Sequence, residues 1–557
     1  MILVALIWIL IFFVFFVLGF SFVEGIIRIT GQKEKMERVF FDEFFFIGFL
    51  LLSALSGILS IWIPIDNKVL LFVSVLSLLL FLFNFRGILN KIENFIHELF
   101  LMKLSEIIAV LFIILFLLTV VVHKITWYDT GLYHAQCIQW IRKYPVVPGL
   151  GNIHGRFALN SMFLVISGLF TFQIKDVLIF PLNGICYTVL FLKLFILFKS
   201  DYESGTKWKS VFYSVVFLIS LLIIIPFLNS TSPDIMCGIL IMYTFVLITS
   251  CHEELSKTNY VKTILLSLVV FSCVTYKISS LFLVLSLLLN LNKEFLKKSL
   301  IIIVIGILII APYIVRNYYL SGYLIYPFPS VDIFNVDWKI PAERALFEKS
   351  WIVSWARIPK VPYQEVINLK ISDWIIPWFK SNDSISRLLL IINSLSIITF
   401  ITMLFRKDFL FAKIQFIVFI NLIFWFMMAP DPRFAYGFLF IGFSLTVAYL
   451  FKMVEYSNYS AILKYLKLGI ACFFFVVLGR RISIPLEVMK NPYLSIVPAP
   501  FETVETKALR SDFDYRIPLS EDRCFYSEIP CVPFPLTNVR LRGHDLKDGF
   551  KVIKENK

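Results

Sequence analysis

Charge is what this chain has least of. Only 16% of its 557 residues are Asp, Glu, Lys or Arg, against about 25% in a soluble domain. Hydrophobic residues make up 59%, Phe alone occurs 60 times, and mean hydropathy is +0.84. A chain of this length would ordinarily make about three or four soluble domains. No soluble core buries that much apolar surface, so lipid is the expected solvent for most of the chain. The same figures exclude a disordered chain. Eight cysteines in this length exclude a small disulfide scaffold, and no Cys/His spacing matches a zinc site. The first apolar segment, residues 2–23, lacks a charged leading region and a small-residue cleavage site. It reads as an anchor and not as a cleaved signal peptide.

Acidic residues are the scarcer sign: Lys and Arg number 52 and Asp and Glu 38, for a net charge of +14. No basic stretch with interleaved aromatics lies outside the apolar segments, so nucleic acid is not an expected partner. The excess suits the short cytoplasmic loops of a multi-pass protein.

Apolar runs give an all-α polytopic membrane protein with about 13–15 transmembrane helices. The first four spans are residues 2–23, 40–63, 69–85 and 105–122, with 25–38 cytoplasmic and 86–103 a helix on the membrane surface. Residues 157–172, 177–198, 211–228, 235–250, 263–274, 279–291 and 299–315 follow. The set ends with 388–404, 411–428, 434–451 and 466–478. The chain divides into N-terminal helices (1–103), a main transmembrane module (104–478) and a small C-terminal region (479–557). Outer loops 123–156 and 316–387 belong to the module. Counting crossings from the N-terminus and from the basic loops 293–298, 406–413 and 452–467 leaves a disagreement of one. Either 157–172 is half-inserted, or 263–291 is one broken helix.

Cys137, Cys186, Cys237, Cys251, Cys273 and Cys472 lie in apolar surroundings and read as small core residues. Cys524 and Cys531 flank a short loop in the polar tail and are expected to pair, since an outer compartment permits it.

Polar residues at the edge of a membrane bundle mark candidate sites. The richest stretch is Trp127-Tyr128-Asp129-Thr130-Gly131-Leu132-Tyr133-His134. Trp127 and Tyr128 suit an aromatic belt, and Asp129 could be an N-cap. Tyr133, Cys137, Trp140 and Tyr144 recur at helical spacing, which predicts an amphipathic helix over 131–144 in the headgroup region. His154 and Arg156, beyond a Pro/Gly loop, give an imidazole and a guanidinium that could converge with Asp129 and His134 on a polar substrate.

This order of helix, acid, interfacial helix, Pro/Gly loop and return to the membrane resembles the first outer loop of GT-C glycosyltransferases. Further pieces are similar. Asp234 sits before a helix in Asn229-Ser230-Thr231-Ser232-Pro233-Asp234, and Thr275-Tyr276-Lys277 interrupts an apolar stretch. Pro312-Tyr313-Ile314-Val315-Arg316-Asn317 resembles a helix-to-loop junction, and Asp431-Pro432-Arg433-Phe434 an Arg-aromatic opening of a late helix. Two features depart from the pattern. Thr130, not a second acid, follows Asp129, and more than one apolar span precedes the loop. The chain also resembles, over most of its length, a group of bacterial multi-pass membrane proteins of uncharacterised function. That likeness is carried by Asp129–His134, Gly149–Arg156, Ser321–Pro341 and Cys524…Cys531.

The GT-C resemblance implies transfer of a sugar from a polyprenyl-phosphate donor to a glycan, lipid or protein acceptor at the outer face of a cell membrane. It makes Asp129 the base and His134 the second candidate. Arg316, Arg433 and Lys277 would bind the phosphate, though each could instead snorkel. Asp234 would orient the donor or cap its helix, and the Trp-rich segment 337–380 would be an outer lid or a sugar platform. A divalent metal ion is the one cofactor left open. A flippase or transporter, a polymerase or ligase of lipid-linked glycans, and a non-catalytic membrane protein are the alternatives. No inverted repeat of the transporter kind is evident.

Overall fold

The computed structural model describes the whole chain except residues 32–35, 101, 257–258, 290–292, 457–478, 480–482 and 554–557. Helices dominate. Ten of those described are long and apolar enough to cross a membrane, and an eleventh span is counted if one bent pair is taken together. Two shorter apolar helices accompany them. The expected span 466–478 lies outside the described residues.

The chain runs back and forth between two ends. Helix α1 (Ile2–Thr30) stops at Gly31, whose φ of +67° gives a left-handed C-cap. α2 (Phe41–Leu59) returns beside it. α3 (Asn67–Phe83) starts on Asp66, which accepts from the Lys68 and Val69 amides. α4 (Phe85–Phe100) turns away from α3 by 86°, in keeping with an amphipathic surface helix. α5 (Leu104–Val121) climbs back to the loop end. After a long loop come the small helices α6 (Ala135–Lys143) and α7 (Met162–Leu169) and a hairpin of β1 (Phe172–Ile174) and β2 (Val177–Ile179). α8 (Leu182–Glu203), α9 (Lys207–Ile224) and α10 (Pro233–Ser250) are long antiparallel helices. The short α11 (His252–Ser256) and α12 (Tyr260–Tyr276) follow. α13 (Lys293–Ser321) leads to three helices at the loop end, α14 (Ala342–Arg357), α15 (Tyr363–Val366) and α16 (Ile371–Ser381). α17 (Ser384–Phe405), α18 (Phe409–Met428) and α19 (Tyr436–Tyr456) complete the bundle.

Two devices hold it. α1 and α2 touch backbone to backbone: a Cβ on Gly19 would lie 1.8 Å from the Phe44 carbonyl oxygen, and one on Gly48 1.9 Å from that of Phe15. Small residues permit such close helix approach where apolar burial alone gives helices no reason to associate. At the end opposite the loops, the fully buried Asp42 and Glu43 open α2. Asp42 pairs with Lys193 of α8 at 3.1 Å and accepts from the Tyr243 hydroxyl of α10 at 2.8 Å. Glu43 pairs with Lys262 of α12. A buried charge of either sign is very costly alone, so these pairs fix which helices meet.

The structure resolves the disagreement over crossings. Residues 157–172 do not form a span. They make a 3₁₀ turn, the eight-residue α7 and the start of β1, all at the loop end. Residues 263–291 break at Lys277, and the two halves run in opposite directions. Lys262, at the start of α12, meets Glu43, while Ser279 donates to the Phe434 carbonyl at the loop end. The 3₁₀ segment Ile278–Leu288 then leads away to Leu289, whose carbonyl accepts from Lys413. Lys277 N–H closes α12 on the Cys273 carbonyl, and extended backbone at Lys277 (φ −151°, ψ 117°) prevents a continuous helix.

The helix predicted over 131–144 is present, and it is buried within the protein rather than presenting an open face. Thr130–His134 form a π turn that continues into α6, and almost every side chain from Thr130 to Ile141 is buried. Its cover comes from the tail. Gln136 and Gln139 donate to the Ser527 carbonyl at 2.8 and 2.9 Å, and Phe525 N–H donates to the Gly131 carbonyl at 2.8 Å. Cys524 and Cys531 are disulfide-bonded and close this covering loop. The five described free cysteines are all buried, and Cys472 lies outside the described residues. Beyond α20 (Ser483–Lys490) and α21 (Pro492–Ile496), the tail holds hairpins of β3 (Thr506–Arg510) with β4 (Asp514–Pro518) and β5 (Val539–Leu541) with β6 (Phe550–Val552).

Gly48→Leu places a side chain where the Phe15 carbonyl already sits. It is expected to lower stability by at least the ~1–3 kcal/mol of an overpacked core, seen as a lower melting temperature in detergent. An unchanged melting temperature would show that α1 and α2 do not pack this closely.

Candidate functional site

The loop end brings together residues from six parts of the chain. The segment after α5 is tied down by Asn229, whose amide donates to the His123 and Lys124 carbonyls at 2.8 and 3.3 Å. Trp127 follows. It is buried edge-on against Phe227, with ring centroids 4.6 Å apart, and so does not serve the aromatic belt expected of it. Tyr128 is half exposed and hydrogen-bonds to Asp522 of the tail.

Asp129 makes no capping bond to the turn that follows. Its carboxylate lies between two guanidiniums: Arg433 Nη1 is 2.9 Å from Oδ2, and Arg156 Nη1 is 3.6 Å from Oδ1. Arg433 is oriented by its own loop. Its Nε is 3.0 Å from Asp431 Oδ2, and its guanidinium lies over Trp127 and Phe434. Asp431 also caps the 3₁₀ turn Pro432–Ala435 through the Arg433 amide. The indoles of Trp378 and Trp425 pin this loop by donating to the Pro430 and Asp431 carbonyls at 2.6 and 2.8 Å. Part of the expected Trp platform is therefore an anchor: Trp374 and Trp378 are buried, whereas Trp351 and Trp355 stay exposed.

Arg156 spans from Asp129 to Glu348 of α14, with Nε 3.3 Å from Oε1, and lies over the Tyr133 ring. Gly155 makes room for this. A Cβ there would meet Glu348 Oε2 at 2.8 Å and the Tyr326 hydroxyl at 3.0 Å. A second pair completes the cluster. Asp234, in the first turn of α10, lies 2.5 Å from Lys277 Nζ at the α12 break, and Lys277 stacks 3.7 Å over Phe434. Phe434 thus has Lys277 and Arg433 over one ring.

Sequence reasoning therefore placed Asp129, Arg156, Asp234, Lys277 and Arg433 in one region, and the fold brings them together. His134 is buried beside Tyr133, with Nδ1 lacking a hydrogen-bond partner. His154 is half-buried against Phe157, with an enclosed and unpartnered Nε2, and makes no contact with Asp129 among the described residues. Arg316 does not join the cluster. Its Nε donates to Asn160 at 3.3 Å and its Nη1 to Ser60 at 2.8 Å. Asp431, Glu348 and Tyr326 were missed as site residues. Asp431 stood inside a recognised motif, but Glu348 carried no local signal, because only α14 folding over Gly155 delivers it.

Burial alone would raise the Asp129 carboxyl, but Arg433 and the other cations outweigh it and hold it below the usual carboxylate range. Burial drives His134 down to about 4 and His154 to about 3, so both imidazoles are neutral at pH 7. The arginines, rather than a protonated His134, then keep Asp129 ionised. Burial raises Glu348 despite Arg156. Asp129, Asp234, Asp431 and Glu348 each face a cation, and no group of three or more His, Cys, Asp or Glu able to hold a metal gathers among the described residues.

A family model described as a domain of unknown function (DUF8201) matches residues 1–440, and the chain belongs to that family. Every residue of the cluster falls within the matched segment. No curated protein and no solved structure matches the chain.

The two histidines give a pH dependence with a definite sign. An unfolded imidazole binds its proton near pH 6.5, whereas the folded ones wait until about 4 and about 3. The unfolded chain therefore binds more protons below about pH 6.5, and stability falls as pH drops through this window. Melting in detergent at pH 7 and pH 5 should show the loss, and a His134→Gln/His154→Gln double variant should show a smaller one. An equal drop in the variant would assign the dependence to other groups.

Proposed function

We propose that this DUF8201 member is a multi-pass membrane glycosyltransferase of GT-C type. It would move a sugar from a polyprenyl-phosphate donor to a glycan, lipid or protein hydroxyl. One observation carries the reading: an ionised, nearly buried aspartate shared by two partly exposed arginines, with the Lys277–Asp234 pair alongside.

The chemistry needs a group to receive the acceptor proton and cations to receive the leaving phosphate. Asp129 is ionised and acceptor-only, so it can take the hydroxyl hydrogen bond and then its proton. Arg433 and Arg156 carry paired N–H donors that suit phosphate oxygens. A phosphate arriving on them competes with Asp129 for the same donors. As it takes them over, the carboxylate loses its counter-charges and becomes a better base. Lys277 adds a point charge beside the same anion. Asp234 positions Lys277, and Asp431 positions Arg433. His134, neutral at pH 7, is a second proton acceptor of low basicity.

Ten helices long and apolar enough to cross a membrane support membrane insertion. We assign the end carrying Lys199, Lys298, Arg406 and Lys452 to the cytoplasm, and the cluster to the outer side. The Cys524–Cys531 disulfide, at the cluster end, suits an oxidising compartment.

Asp129→Asn is expected to lower sugar transfer by ~10²–10⁴-fold, and unused polyprenyl-phosphate sugar should accumulate in cells carrying it as their sole copy. A lipid-linked sugar profile checks this. Full complementation by the variant would remove Asp129 from the reaction, and accumulation confined to the cytoplasmic leaflet would favour a flippase.

A further inference from the structure

We infer that the arm formed by α14–α16 is a membrane-surface contact: its exposed aromatic face seats in the headgroup layer of the bilayer at the cluster end of the bundle.

α14 is not covered all round. Ala345, Glu348 and Ala356 turn inward and are buried, and Glu348 reaches Arg156 from this side. Phe347, Trp351 and Trp355 recur every fourth residue, which lines them along a neighbouring stripe. With Leu346 they lie between 36% and 49% exposed. Tyr363 of α15 extends the stripe, its ring 5.3 Å from Phe347 and 5.6 Å from Trp351. A contiguous aromatic face of this kind is unusual on a surface that meets water alone.

What covers the stripe follows from where the arm leads. Only Asn382 and Asp383 separate α16 from α17, a helix of membrane length. Along α17, Leu388, Ile391, Leu395 and Ile398 form a row between 45% and 62% exposed, the side that a span would turn to lipid. α16 carries apolar exposure across the junction with Ile371 and Ile376, at 52% and 60%. Its Trp374 and Trp378 pack on Phe426 and Trp425 and so hold it at the end of α18. α14 is tied to this arrangement by Arg357. Its Nη1 donates to the Ile367 carbonyl at 3.1 Å, and its guanidinium lies 5.0 Å from the centre of the Trp374 ring. The stripe therefore continues an apolar surface at the level where the long helices end, and that level is where Trp and Tyr gather in membrane proteins. Lys360, Lys370 and Lys380 are exposed on the same arm, and long basic side chains reach lipid phosphates from such positions. A sugar platform would need hydroxyl partners beside its rings, and the exposed Leu346, Ile371 and Ile376 offer none. Because Glu348 sits on the inward side of α14, the bilayer contact and the Asp129 cluster share one helix.

The inference rests on the membrane reading of the long helices and not on sugar transfer. Full-length protein would be placed in phosphatidylcholine nanodiscs with a nitroxide spin label on a single introduced cysteine. Collision of the label with oxygen, which concentrates in lipid, and with a water-soluble nickel chelate gives the readout. Trp355→Cys probes the arm, and Phe347→Cys is a second arm position in case the first variant does not fold. Leu395→Cys reports the outward row of α17, and Lys547→Cys, on an exposed side chain of the tail, reports water. The five described free cysteines are buried, and the chain without an introduced cysteine gives the labelling background. Both arm positions should show an oxygen-to-nickel ratio close to that at Leu395 and well above that at Lys547. A nickel-type ratio at either arm position, with Leu395 in lipid, would overturn the proposal and leave the face to water, a glycan or a protein partner. A nickel-type ratio at Leu395 as well would fail the membrane reading itself.

Discussion

A carboxylate taken out of water must find positive charge, and Asp129 finds it at both of its oxygens. Arg433 comes from 304 residues further along the chain, and Arg156 from the far side of a Pro/Gly loop. Satisfying that one acid fixes where the α5–α6 loop, the 430–433 turn and the 149–156 loop must sit. The dependence then spreads outward. Arg433 needs Asp431, and the Asp431 loop is held by Trp378 and Trp425. Arg156 needs Glu348, which brings α14 over Gly155. The covering tail loop, closed by its disulfide, excludes solvent from the turn that carries Asp129.

The opposite end of the bundle obeys the same rule with a different outcome. Asp42 and Glu43 are also buried acids, but their lysines are enclosed with them, at 3% and 2% side-chain exposure. Such closed pairs specify helix neighbours and leave nothing to offer a ligand. At the loop end Arg156, Lys277 and Arg433 keep about a quarter of their side chains exposed. A partly open cation beside a buried acid can exchange partners with an incoming anion, and a fully enclosed one cannot. This difference in access, more than the residue types, separates structural charge from candidate chemistry here.

How far the sequence could be read depended on the range of the interaction involved. Apolar runs are local, so most long helices were legible within a few residues. Breaks were harder. Residues 157–172 contain enough apolar side chains for a span, yet the segment folds as a short helix and a strand at one end. Hydropathy records preference for an apolar setting and not whether that setting is lipid or protein. The same ambiguity hid the cover of the 131–144 helix, which comes from tail residues nearly 400 positions away. Five of the proposed site residues met because their motifs lay at helix ends on one side. Arg316 lies at a similar helix end and still went elsewhere, since the small rotation about α13 that decides its neighbours leaves no trace in spacing.

By itself the sequence set the expected solvent of the chain, the approximate position of its long helices, and the end at which its polar residues would gather. Those follow from composition, run length and the side on which charge is tolerated, all of which act over a turn or two of helix. Tertiary structure alone decided which acid meets which base. It closed Asp42 and Glu43 into dry pairs and suspended Asp129 between two arginines. Electrostatic pairing in a low-dielectric interior depends on distances of a few ångströms between residues far apart in the chain, and only the packed fold sets them.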